Sequence, residues 1–175
     1  MMNKDLKIYV AGHKGMVGSA ILRKLKKEGF ENIVTRNSND LDLRIQSEVE
    51  AFINNTRPEL IIDAAAIVGG IWANNNAPYK FLMDNMLIQN NLLKASVKCK
   101  IKKFIFLGSS CIYPRLASQP IKEEYLLSGP LEETNQWYAL AKITGVKLVE
   151  SIRKEYGFDY VSLMPTNLYG PNDNF

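Results

Sequence analysis

The chain has 175 residues, 46% of them hydrophobic and 23% charged, which suits one globular core and excludes a disordered chain. Two cysteines exclude a disulfide framework, and one histidine excludes any mechanism built on a histidine pair. A net charge of +4 is mild, and no aromatic residues interleave with Lys98, Lys100, Lys102 and Lys103, so no nucleic-acid partner is expected. No metal-ligand spacing, membrane span or signal peptide is evident, which leaves a cytoplasmic protein as the default.

Residues 6–11 are predicted as a buried strand that runs straight into Gly12. Val17, Ile21 and Leu25 keep helical spacing over residues 16–28, and Gly29 marks the stop. A short strand is expected at 32–35, a brief extended piece at 40–43, a helix near 45–54 and a strand at 60–64. Pro78 suits a helix start, and no Gly or Pro follows before Lys98. Residues 104–107 form a continuous apolar strand, the pattern of a sheet covered on both faces. Pro114, Pro120, Gly129 and Pro130 make 112–135 a long loop, of a length that compact domains reserve for function. A helix over Gln136–Tyr156 and a strand over 160–164 follow.

Strands alternating with helices imply parallel pairing through right-handed crossovers. The fold class is therefore α/β, a doubly wound parallel sheet of the Rossmann type, one domain over residues 1–175. Residues 165–175 are turn-rich and end without a closing element, so the sequence reads as cut short.

Gly12-His13-Lys14-Gly15-Met16-Val17-Gly18 sets three glycines between a predicted strand and a predicted helix. That spacing permits a sharp turn, close backbone approach to a pyrophosphate and tight helix–strand packing. The helix N-terminus then offers free N–H groups to the anion. An NAD site places an acid on the second strand, yet Thr35-Arg36-Asn37-Ser38-Asn39 holds none. Arg36 and Lys14 suit the extra phosphate of NADP instead.

Tyr138-Ala139-Leu140-Ala141-Lys142 puts a phenol and an ammonium on one helix face. A nearby ammonium is expected to lower the tyrosine pKa. Gly108-Ser109-Ser110-Cys111 closes the apolar strand at its carboxyl end, the edge where open α/β sheets bind ligands.

The glycine loop, this serine and Tyr-x-x-x-Lys together resemble the extended short-chain dehydrogenase/reductase family. Ala64-Ala65-Ala66, Val68-Gly69-Gly70-Ile71, Ser109-Ser110-Cys111-Ile112-Tyr113-Pro114 and Pro165-Thr166-Asn167-Leu168-Tyr169-Gly170-Pro171 narrow the resemblance. They point to the branch that epimerises GDP-4-keto-6-deoxymannose at C3 and C5 and reduces it at C4 with NADPH. The resemblance implies that Tyr138 donates a proton to the C4 oxygen, with Lys142 as its partner. Ser109 binds that oxygen, and Cys111 is one acid/base of the epimerisation. It implies NADP(H) held by Gly12, His13, Lys14, Gly15, Met16, Val17, Gly18, Arg36, Asn37, Leu41, Ala64, Ala65, Leu107, Gly108 and Lys142. Pro165, Thr166, Asn167 and Leu168 line the nicotinamide.

A GDP-linked sugar is the implied substrate, and a homodimer through the two long helices the implied assembly, with Met83, Leu87, Ile143 and Val146 as candidate positions. Two residues depart from the family pattern: Trp137 stands where proline is common, and Ser38 where an arginine often holds the phosphate. The resemblance also places a sugar-nucleotide domain, and a histidine as the second acid/base, beyond Phe175.

Overall fold

The computed structural model describes residues 3–173; Met1, Met2, Asn174 and Phe175 of the terminal segments lie outside it. Its elements are β1 (Ile8–Ala11), α1 (Met16–Lys27), β2 (Ile33–Val34), α2 (Gln46–Thr56), β3 (Leu60–Asp63), α3 (Ile71–Asn76), α4 (Pro78–Lys98), β4 (Lys103–Leu107), α5 (Gln136–Tyr156) and β5 (Asp159–Leu163). The five strands form one parallel sheet in the order β2-β1-β3-β4-β5. Chain direction across the sheet reverses between β1 and β3, the point at which doubly wound sheets open a crevice.

Alternation along the strands sorts the core into two faces. Tyr9, Ile61, Phe104, Phe106 and Tyr160 pack with Val49, Ile53, Leu92, Leu93, Val149 and Ile152 from α2, α4 and α5. Ile8, Val10, Leu60 and Ile62 pack on the other face with Ile21 and Leu25 of α1. That second face is thinner than the apolar run at 104–107 predicts. Ile105 and Leu107 are only half-buried, and Val161 and Leu163 of β5 are exposed, because α1 packs over β1 and does not reach the β5 side.

Three local expectations are corrected. Residues 40–43 form no strand: Asp40 and Leu41 donate their backbone N–H groups to the Asn37 carbonyl, and the Asn37 side chain donates to Asp40, closing a turn. Helix α3 was hidden by its Asn-Asn-Asn end, a poor helix pattern that Asn74 supports by donating to the Gly69 carbonyl at 2.9 Å. The long loop holds a 3-10 turn at Glu123–Tyr125, and another at Ser110–Ile112 leads into it. Ile143 also lies in the interior, so it is not part of an exposed helix face, whereas Met83 and Leu87 are.

Buried side-chain amides tie the helices to the rest of the fold. Gln89 of α4 donates to the Ala141 carbonyl of α5 at 2.7 Å. Asn85 accepts the Ile67 N–H at 2.8 Å and donates to the Ile67 carbonyl at 3.0 Å, fixing the segment after β3.

The glycine loop shows why its spacing matters. Gly12 has φ +73°, and a Cβ there would lie 2.6 Å from the Ala64 carbonyl oxygen. A Cβ on Gly18 would lie 2.1 Å from the Gly12 carbonyl oxygen, so α1 can sit this close to β1 only with glycine. At Gly15 the nearest atom is 3.5 Å away, ordinary contact. Gly18→Ala should therefore lower the unfolding free energy by roughly 1–3 kcal/mol, and Gly15→Ala by about 0.5 kcal/mol or less, as read by urea denaturation. Equal effects would show that helix–strand approach does not limit this loop.

Candidate active site

A cavity of about 360 Å³ opens at the carboxyl edge of the sheet, between the ends of β1 and β3. Gly12, His13, Lys14 and Gly15 form one wall, Arg36, Asn37 and Leu41 another, and Ala64 and Ala65 a third. Gly15 begins α1 with no side-chain cap, so the first N–H groups of the helix remain available to an anion. The space beside Gly15, these uncapped donors and the two cations Lys14 and Arg36 fit a dinucleotide with an extra phosphate. Arg36 lies across the Phe52 ring at 5.3 Å and donates to its own Thr35 carbonyl. Burial, then Lys14, lowers the His13 pKa, which favours a neutral ring.

A second cluster stands where β4 ends. Lys142, 4% exposed, donates to the Leu107 carbonyl at 2.8 Å and lies 4.7 Å from the centre of the Phe106 ring and 5.7 Å from that of Tyr138. Ser109 opens the 3-10 turn, its hydroxyl accepting the Cys111 N–H at 3.4 Å. Burial pushes the Cys111 thiol up, against opposing pulls from Ser109 and Lys142. Burial lowers the Lys142 pKa, while Asp63 and Cys111 oppose that change.

Tyr138 behaves differently from the sequence expectation. Burial raises its pKa, and nearby Cys111 and Asp63 raise it further. Desolvation of a phenolate outweighs the ammonium across the helix turn, so Tyr138 is a phenol at neutral pH. A phenol can give a proton; it cannot serve as a ready base.

The structure thus gathers the predicted residues into two neighbouring groups. Met16, Val17 and Gly18 form the first turn of α1 and do not line the cavity. Leu107, Gly108 and Lys142 belong to the second cluster, with Pro165 joined to it by the Ser110 N–H donating to the Pro165 carbonyl. Thr166, Asn167 and Leu168 follow β5 and are exposed.

Tyr9, Asp42, Leu43, Arg44, Ala66, Ile67, Lys80 and Ile88 also line the cavity, beyond those the sequence singled out. Most come from turns whose path no periodicity reports. Arg44 is engaged by Asp42 at 2.7 Å and Asp84 at 3.2 Å, unlike Lys14, which has no resolved ion pair among the described residues. Asp63 carried a readable signal: a carboxylate ending the otherwise apolar run Leu60-Ile61-Ile62.

The sequence pattern of the NAD dependent epimerase/dehydratase family matches residues 8–175. Among curated proteins, a GDP-L-fucose synthase of Arabidopsis thaliana is 53% identical over 100% of this chain and 54% of its own length. One from Sinorhizobium fredii is 54% identical over 97% of this chain and 54% of its own. Among solved structures, a GDP-mannoheptose C4 reductase from Campylobacter jejuni with NADP bound superposes with TM-score 0.95 at 38% identity, covering 99% of this chain and 55% of that one. The chain spans about half the length of the curated relatives it matches.

Proposed function

The chain belongs to the NAD dependent epimerase/dehydratase family, and from that premise we propose that it is the cofactor-binding, proton-donating half of a cytoplasmic NADPH-dependent enzyme. Its substrate is GDP-4-keto-6-deoxymannose, epimerised at C3 and C5 and reduced at C4 to GDP-L-fucose. The observation that carries this reading is the grouping of Tyr138, Lys142, Ser109 and Cys111 at the end of β4, beside the glycine-loop cavity. The names of the similar proteins support the substrate. Reduction of another GDP-linked 4-keto sugar is the second reading, because the mannoheptose reductase superposes on the same half.

Bound here, NADPH would supply the hydride for reduction at C4. Gly12, Lys14, Gly15 and the uncapped start of α1 would hold its pyrophosphate, Lys14 and Arg36 its extra phosphate, and residues 165–168 its nicotinamide end. Tyr138, kept a phenol by burial, donates its proton to the C4 oxygen as negative charge develops there. Ser109 hydrogen-bonds that oxygen. Lys142 keeps a positive charge close to Tyr138, which stabilises the tyrosinate left after transfer. Cys111, a thiol in its resting state, supplies one acid/base of the epimerisation. His13 lines the glycine-loop cavity, away from Cys111, so the second acid/base is not that histidine.

We also place a twofold mate against α4, where Tyr79, Met83 and Leu87 recur every four residues and face outward with Leu140 of α5. Light scattering should give twice the chain mass, and Leu87→Lys should return it to one; a monomer at high concentration refutes the pairing.

Fluorescence titration should find NADPH bound more tightly than NADH. Lys14→Ala should narrow that preference by roughly tenfold, the worth of one charge-assisted hydrogen bond. Equal affinities for the two cofactors would overturn the NADP assignment. In a form spanning the full length of its relatives, Tyr138→Phe should cut C4 reduction by ~10² to 10⁴ while leaving NADPH affinity unchanged. Undiminished turnover would remove Tyr138 from the chemistry.

A further inference from the structure

Among the described residues the fold buries only two chargeable side chains of the Asp, Glu, Lys and Arg types, Asp63 and Lys142. Both lie at the same edge of the sheet. Asp63 ends β3 in register with Phe106 of β4, and partners in a parallel pair direct their side chains to the same face. Phe106 packs in the core beneath α4 and α5, and the Lys142 ammonium stands over its ring. The carboxylate and the ammonium therefore occupy one face, a strand apart. One Asp63 oxygen accepts the Ala65 N–H at 3.1 Å; the other is buried with no hydrogen-bond partner among the described residues.

The fold gains little from a charge here. An asparagine would accept the same Ala65 N–H, and an ionised carboxylate in an apolar setting is destabilising unless another charge offsets it. Lys142 has the matching deficit: among the described residues its three ammonium donors meet a single hydrogen-bond acceptor, the Leu107 carbonyl.

We propose that Asp63 is a positioning residue for the Lys142–Tyr138 pair, the counter-charge that holds the Lys142 ammonium in its buried seat at the end of β4. The catalytic consequence rests on the proton-donating role given above to Tyr138; the charge pairing itself does not.

The groups around Asp63 are few. Lys142 and Tyr138 face it from α5 and Tyr9 from β1, with Arg36 acting on Tyr9 from beyond β2. Cys111 acts on Lys142 and Tyr138 from the 3-10 turn. Burial pushes Asp63 up to about 6, against the opposing pulls of Lys142 and the Ala65 N–H. Because this value is raised above the ordinary 3.8, stability contributed by the protonated form is lost as pH rises through that interval. At neutral pH the carboxylate is ionised, and its charge favours the protonated forms of both Lys142 and Tyr138.

The test is an NMR titration of the intact protein carrying ¹³Cγ-aspartate and ¹³Cε-lysine, without cofactor. The wild type should show an aspartate midpoint near 6 that is missing in Asp63→Asn. In Lys142→Met that midpoint should rise by roughly 0.5–1 unit, and in Asp63→Asn the Lys142 midpoint should fall by a similar amount. The two variants are independent, so either one that keeps the native fold decides. A shift in the partner group supports the pairing; a folded variant in which the partner's midpoint stays in place overturns it. Neither outcome depends on turnover, so failure of this pairing is distinguishable from failure of the Tyr138 assignment.

Discussion

Parallel pairing is the constraint on which the molecule depends. Five strands running one way must send every strand-ending loop out on the same edge, and helical crossovers must return the chain across the faces. The glycine loop after β1, the Ala64–Ala66 segment after β3 and the Ser109 turn after β4 therefore meet without any long-range side-chain design. Between β1 and β3 the neighbouring crossovers leave in opposite directions, and the cavity opens there. Close approach then sets the residue types: the backbone of residue 64 comes so near Gly12 that no side chain fits at that position.

Electrostatics divides along the same line. Surface ion pairs such as Lys24 with Glu28 at i, i+4 and Lys147 with Glu150 at i, i+3 are solvated and worth little to stability. At the sheet edge the terms are larger because water is excluded. There burial drives Tyr138 and Cys111 toward their neutral, protonated forms and opposes the charge on Lys142. A site in which the proton donors keep their protons at rest is suited to reduction of a ketone, where the oxygen gains a proton as the carbon gains a hydride. Among the described residues Asp63 is the one buried carboxylate, which is why its position carries more consequence than the exposed acids do.

The helices α4 and α5 connect the two themes. They cover the sheet face that carries Phe106 and Asp63, and Gln89 ties one to the other through the Ala141 carbonyl, one residue before Lys142. Gly145 lets α5 lie directly on Phe106, since a Cβ there would come within 2.3 Å of the ring. The seat of the ammonium is thus fixed by helix packing before any ligand arrives.

Local patterns were sufficient for most of the architecture. Helical spacing at Val17, Ile21 and Leu25, the run free of Gly and Pro after Pro78, and the short apolar strands each specify an element from residues close in sequence, so the alternation and the parallel sheet could be read directly. The glycine spacing, Ser109 and the Tyr138–Lys142 pair were legible for the same reason. What lies between elements was not. The turn at 37–41 and helix α3 rest on asparagine side-chain bonds to nearby residues, and the cavity contribution of Arg44 and Lys80 rests on how distant segments meet; periodicity encodes neither. Protonation was decided by tertiary structure alone. Sequence spacing places an ammonium one helical turn from Tyr138 and predicts a lowered pKa. Only the packed sheet edge, by removing water and bringing Asp63 and Cys111 alongside, reverses the sign.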